Sequence, residues 1–158
     1  MDRIVIFLIL LLMALGYAFW KGGGPERCMA AIMLSMLVFD QALHLIIPAQ
    51  FASLDAGHLL IDVFAAVTTV SLALVAHRFW PMIAAVFQVL PLLAHFSRVA
   101  DLSMQPIAYL TMQVAASWLL PPLLVLATWR HQRRLQRSGS DRSWQISSLP
   151  FNLPKAIR

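Results

Sequence analysis

Five long apolar stretches, each parted from the next by a few polar or helix-breaking residues, govern what this chain can fold into. They run over about 4–20, 28–48, 57–76, 80–97 and 105–129. A helix needs about 20 mostly apolar residues to cross the hydrocarbon core of a bilayer. In lipid every backbone amide and carbonyl must be satisfied within its own segment, so helix is the form each stretch takes. Gly22-Gly23-Gly24-Pro25, Pro48 and Gly57 break the pattern between spans, and Pro81 and Pro106 fall in first turns, where proline loses no hydrogen bond. The expected fold class is all-α integral membrane, a five-transmembrane-helix bundle over residues 1–129, followed by a basic, largely flexible tail over 130–158. Composition agrees. Only 12% of the residues are charged and 60% are hydrophobic, whereas a soluble domain carries about 25% charge. That is too little charge to cover a water-facing surface.

The charges that remain set an orientation. With the C-terminus in the cytoplasm, Lys21, Arg27, Arg78 and the seven cations from Arg130 to Arg158 lie inside, and only Arg3 and Arg98 lie outside. Such an excess on one side is the positive-inside pattern. Trp20, Trp80 and Trp129 then share the cytoplasmic interface, the level that indoles favour. The expected location is a bacterial inner membrane, multi-pass, with the N-terminus outside. The first span is expected to be retained, since its cleavage would turn the basic tail to the wrong side. The net charge of +5 separates into a tail with seven cations and one anion and a bundle with five cations and six anions. The chain is therefore not basic in the sense that nucleic-acid binding requires. Arg130, Arg133, Arg134 and Arg137 continue the last helix into the headgroups, and anionic lipid is the expected partner, with other membrane subunits besides. Ser138-Gly139-Ser140 is expected to loosen the chain. Pro91, and Pro121 with Pro122, are expected to kink the fourth and fifth spans and leave the carbonyls of Phe87, Ser117 and Trp118 partly free.

The residues that carry chemistry are the ionisable ones inside the spans. Asp40 and His44 are four apart on the second helix, as are His58 and Asp62 on the third, so each pair shares a face. The order is mirrored, and the two helices are antiparallel. At about 1.5 Å per residue, Asp62 and His44 both lie about 6–7 Å below the outer ends of their helices and are level enough to pair. The fourth helix adds Gln88, His95 and Arg98, and the fifth Gln105 and Gln113. All fall toward the outer half. Asp55 fits a helix N-cap, and Asp101 sits within reach of Arg98.

Three readings follow. An unpaired aspartate costs at least about 2.5 kcal/mol at mid-membrane. The first reading is therefore a hydrogen-bonded network in which Asp40 and Asp62 meet His44 and His58, structural or ligand-binding, with no cofactor. The second is a metal centre on His44, His58 and His95, or a b-type haem held by two of them, with the aspartates fixing the tautomers. The third is proton or small-substrate handling at the outer face. It lacks an inner half beyond Thr68, Thr69 and Ser71, and five spans do not divide into inverted repeats. No P-loop, GxSxG, SxxK or HExxH motif occurs, and the single cysteine, Cys28, rules out an internal disulfide. The reading is non-enzymatic, with no catalytic residue assigned.

Three further segments carry a resemblance: Trp20-Lys21-Gly22-Gly23-Gly24-Pro25-Glu26-Arg27, Asp55-Ala56-Gly57-His58-Leu59-Leu60-Ile61-Asp62, and Gly139-Ser140-Asp141-Arg142-Ser143-Trp144. Through them the chain resembles a group of small multi-span inner-membrane proteins of alphaproteobacterial type. The resemblance implies a bacterial cytoplasmic membrane and no activity.

Overall fold

The computed structural model describes residues 2–46, 56–100, 111, 114–141, 143 and 144. Helix α1 spans Asp2–Lys21, α2 Gly24–Ile46, α3 Ala56–Val75 and α4 Trp80–Ala100. A 3-10 turn, Ala116–Leu119, leads into α5, Leu120–Ser138. No strand occurs among the described residues. Four helices, α1 to α4, are long and apolar enough to cross a membrane. The first part of the fifth expected span, including Gln105 and Gln113, lies outside the described residues, as do Pro48, Asp55, Asp101 and Pro106.

Helix α2 starts a turn earlier than the apolar pattern indicates, at Gly24 rather than Cys28. Pro25 suits a first turn, and Glu26 beside it complements the positive end of the helix dipole. Helix α4 runs unbroken through Pro91. Val114 and Ala115 are helical, the 3-10 turn follows them, and Pro121 and Pro122 come just after it. They occupy the first turn of α5, and the amide of Leu120 bonds the carbonyl of Ser117. The 3-10 turn thus satisfies a carbonyl that a mid-helix proline pair would have stranded.

Helices α1 and α2 form one hairpin and α3 and α4 another. Helix α2 lies against α3, and α5 packs chiefly on α1. The contacts are made by small residues: Ala14, Ala18, Ala30, Ala65, Ala84 and Ala94 are all buried. Small side chains let backbones approach closely, which is how helices associate without a hydrophobic driving force between them. Leu15, Met29, Leu72 and Leu124 fill the spaces between. The large apolar residues face the other way. Ile4, Ile9, Leu60, Leu74 and Phe96 are each more than half exposed. A surface of that kind is a liability in water and the matching surface in lipid.

Two ends of the bundle result. One, the tail end, gathers the α1–α2 loop, the α3–α4 loop and the end of α5. The far end gathers the C-terminal turns of α2 and α4 and the start of α3. At the tail end, Gly139 adopts φ 68° and its amide bonds the carbonyl of Leu135 at 2.9 Å, a left-handed stop that reverses the chain. The following residues dock. The amide of His77 donates to the carbonyl of Ser143 at 3.1 Å, and Ala76 pairs with Trp144 in an isolated antiparallel bridge. The expected loosening after Ser138 gives way, through Trp144, to a strap laid across the bundle. Residues 145–158 lie outside the described residues.

Candidate functional site

At the far end, α2 and α3 approach closely because α3 begins Ala56-Gly57. A Cβ on Gly57 would fall 2.6 Å from the methyl groups of Leu43. The gap left by the missing side chain brings His58 against the last turns of α2. There His58 donates from Nε2 to Oδ1 of Asp40 at 3.2 Å, and Gln41 donates to Oδ2 at 3.3 Å. One turn on, His44 donates from Nδ1 to the carbonyl oxygen of Asp40 at 2.8 Å. A carbonyl only accepts, so the proton of a neutral His44 sits on Nδ1 and its Nε2 keeps a free lone pair. The His44 and His58 rings meet edge to face with centroids 5.2 Å apart. Asp40, His44 and His58 each present a ligating atom within 4.8 Å of the other two. The group is open: the side chains of His44 and Asp40 are 42% and 37% exposed.

A second polar group sits deeper. Nε2 of His95 on α4 and Oδ2 of Asp62 on α3 are 3.0 Å apart, with the His95 side chain 2% exposed. The expected meeting of Asp62 with His44 is therefore replaced by Asp62 with His95. The expected trio of His44, His58 and His95 is divided too: the first two join Asp40, and His95 belongs to Asp62. Depth along an axis follows from the rise per residue, but the facing of Asp62 around α3 is set by packing, which periodicity does not give. Gln88 joins neither group; it is buried, with its amide 3.1 Å from Sδ of Met36. Arg98 falls in the last turn of α4, and its side chain lies outside the described residues. Thr68 and Ser71 bond the carbonyls of Phe64 and Val67 in their own helix, so they offer no relay toward the other end.

The tail end holds a polar cluster that the apolar-span reading did not anticipate. Asp141, the one acid of the tail, is almost buried among Arg78, Arg134 and His131. Nε of Arg134 reaches Oδ1 at 3.1 Å, and Nδ1 of His131 reaches Oδ2 at 2.5 Å. Arg78 completes the set. Burial pushes the Asp141 carboxyl up, but the hydrogen bonds from Arg134 and His131 and the charges of Arg134 and Arg78 outweigh it and hold the group below the usual aspartate range. Beside it, fully buried Glu26 accepts a bond from the indole of Trp80 at 3.2 Å. Trp80 therefore points into the protein, whereas Trp20 and Trp129 are exposed. Trp144 lies flat over Gly24, where a Cβ would come within 2.7 Å of its ring. The glycine-rich loop and the Gly139–Trp144 segment, distant in sequence, meet here.

Of the four arginines expected among the headgroups, Arg134 turns inward to Asp141 and Arg133 stacks over the Trp129 ring at 4.2 Å. Arg130 and Arg137 are exposed. The signal for the strap was the lone Asp141 among seven cations, followed by a tryptophan three residues on.

Compared with known proteins, the chain matches no family model, no curated protein and no solved structure.

Proposed function

We propose that this chain is a five-span protein of a bacterial inner membrane, N-terminus outside and C-terminus cytoplasmic, that binds one transition-metal ion at its outer end through Asp40, His44 and His58. The observation that carries the reading is the convergence of two imidazoles and a carboxylate from two helices, all mutually within 4.8 Å and open on one side. Imidazole with carboxylate suits zinc, cobalt, nickel or copper rather than calcium or magnesium. A tetrahedral ion with bonds of about 2.0–2.1 Å sets its ligands about 3.4 Å apart, and small side-chain rotations close the present group to that size. Three protein ligands leave a fourth position for water or a solute. The rings of His44 and His58, edge to face at 5.2 Å, favour a single ion over the b-type haem alternative, since they leave no slot between them for a porphyrin.

The structural reading keeps its place one layer deeper. The buried Asp62–His95 contact ties α3 to α4, as interhelical polar pairs do in membrane bundles. The five-span topology rests on the fifth apolar stretch, the lopsided distribution of Lys and Arg and the outward-facing apolar surface. The headgroup role of Arg130, Arg133, Arg134 and Arg137 rests on the same distribution.

Equilibrium dialysis of the detergent-purified chain against zinc tests the site. One ion per chain is expected, with binding abolished in His58→Ala and Asp40→Ala and kept in His95→Ala. Zinc binding that survives His58→Ala, or none in the parent, overturns the proposal.

A further inference from the structure

Between the start of α4 and the face of α5 from Leu123 to Arg134 lies a groove of about 220 Å³. Its rim carries Arg78, Arg130 and Arg134, and its wall below is apolar, with Phe79, Ile83 and Leu126. A second shallow groove, on the other side of α5, shares Arg130 and Arg134 and adds Trp129.

The rim is not electrically balanced. Arg78 and Arg134 share the single carboxylate of Asp141. Arg130 has no carboxylate partner among the described residues. The groove's own lining thus holds three guanidinium groups and no acid; behind it, Asp141 is shared by two of them and buried Glu26 is bonded to Trp80. Nor are their hydrogen bonds complete: Nε of Arg78 and Nη2 of Arg134 are buried without a hydrogen-bond partner among the described residues. Guanidinium is built to bond phosphate oxygens. A phosphate alone would leave the apolar wall uncovered, and an acyl chain alone would leave the cations unmatched. Phe79, 72% exposed, and Leu126, 48% exposed, continue the wall toward the lipid-facing surface.

We infer that the α4–α5 groove is a binding site for an anionic glycerophospholipid, with the phosphodiester held by Arg78, Arg130 and Arg134 and an acyl chain lying along Phe79, Ile83 and Leu126. The site rests on the membrane-spanning reading above, and goes beyond a general attraction of the basic tail to the leaflet by naming one groove, one loop arginine and one apolar wall. Basic pockets between helices at the cytoplasmic face are where anionic headgroups lodge. Docking of the strap through Asp141 fixes the positions of two of the three arginines, so strap and lipid site are built together.

Native mass spectrometry of the full chain in detergent, titrated with phosphatidylglycerol, phosphatidylcholine or inorganic phosphate, tests the inference. Phosphatidylglycerol is expected to bind in preference to phosphatidylcholine, and inorganic phosphate not to compete. Arg130→Gln, which leaves the Asp141 contacts intact, is expected to weaken phosphatidylglycerol about fivefold, the equivalent of about 1 kcal/mol for one headgroup arginine. Arg27→Gln removes the same charge from the same end of the bundle, outside the groove, and is expected to change nothing. Equal losses in the two variants would show a general charge attraction and overturn the site, as would equal binding of the two lipids or displacement by phosphate. Release of the chain from membranes by alkaline carbonate would instead overturn the membrane-spanning reading itself.

Discussion

At the scale of single residues, the two aspartates inside the spans have different work. Asp62 faces His95 with both side chains largely withdrawn from solvent, whereas Asp40 is more than a third exposed. Removing one partner of a buried hydrogen bond costs about 1–3 kcal/mol, because the other is left desolvated and unmatched. An exposed pair is worth about 0–1 kcal/mol. Asp62→Ala is therefore expected to lower the thermal midpoint in detergent clearly, and Asp40→Ala to leave it nearly unchanged while removing zinc binding. Equal destabilisation by the two would mean that both groups are structural. The sequence made half of this legible. Four-residue spacing put Asp40 with His44 on one face, and mirrored spacing put both aspartates toward one end. It did not reveal which neighbour each aspartate meets, since that depends on how each helix is turned about its axis.

Among the elements, glycine and proline explain most of what the apolar pattern located and what it misplaced. Gly57 allows α3 to begin against Leu43, so Gly57→Ala forces either Leu43 or the helix to move. The expected result is a small loss of stability, since the flexible end of the Leu43 side chain can yield, together with weaker zinc binding, since His58 shifts away from Asp40. Adding Leu43→Ala should restore both, and an additive double mutant would refute the close approach. The proline pair is expected to kink the span, and the structure has a 3-10 turn just before it, between helical Ala115 and the helix that starts at Leu120. The strap was the least legible element. Its anchor, Asp141, draws one partner from the α3–α4 loop and two from α5, a meeting that no local pattern encodes. Its carboxyl is held below the usual aspartate range, so the charged form is favoured by docking. The linked stability is present above the ordinary aspartate range and is lost as pH falls through the lowered value. Hydrogen exchange at the His77 amide, which bonds Ser143, reads this directly. Protection relative to the intrinsic exchange rate should be high at neutral pH, fall as pH drops below the aspartate range, and be low throughout in Asp141→Asn. A His77 amide indifferent to both changes would mean that Asp141 does not hold the strap.

For the whole molecule, the division is between a lipid-matched exterior and two polar ends. The exterior was the most legible feature, because bilayer thickness sets a length that apolar runs must meet. Helices α1 to α4 meet it; the fifth crossing and the direction are proposed from the distribution of Lys and Arg. Reporter fusions after Ser138 should be active only in the cytoplasm, and fusions at the N-terminus only outside; the same side for both would require an even number of spans. The ends were legible as composition but not as sites. The function proposed for the outer end is to hold one metal ion between α2 and α3. Titration of the purified chain with cobalt(II), followed by its visible absorption, tests this most directly, because the bands report inner-sphere ligation by nitrogen and oxygen. Bands are expected that saturate at one cobalt per chain, are displaced by zinc, vanish in His58→Ala and persist in His95→Ala. No bands in the parent chain, or bands unchanged in His58→Ala, would contradict it.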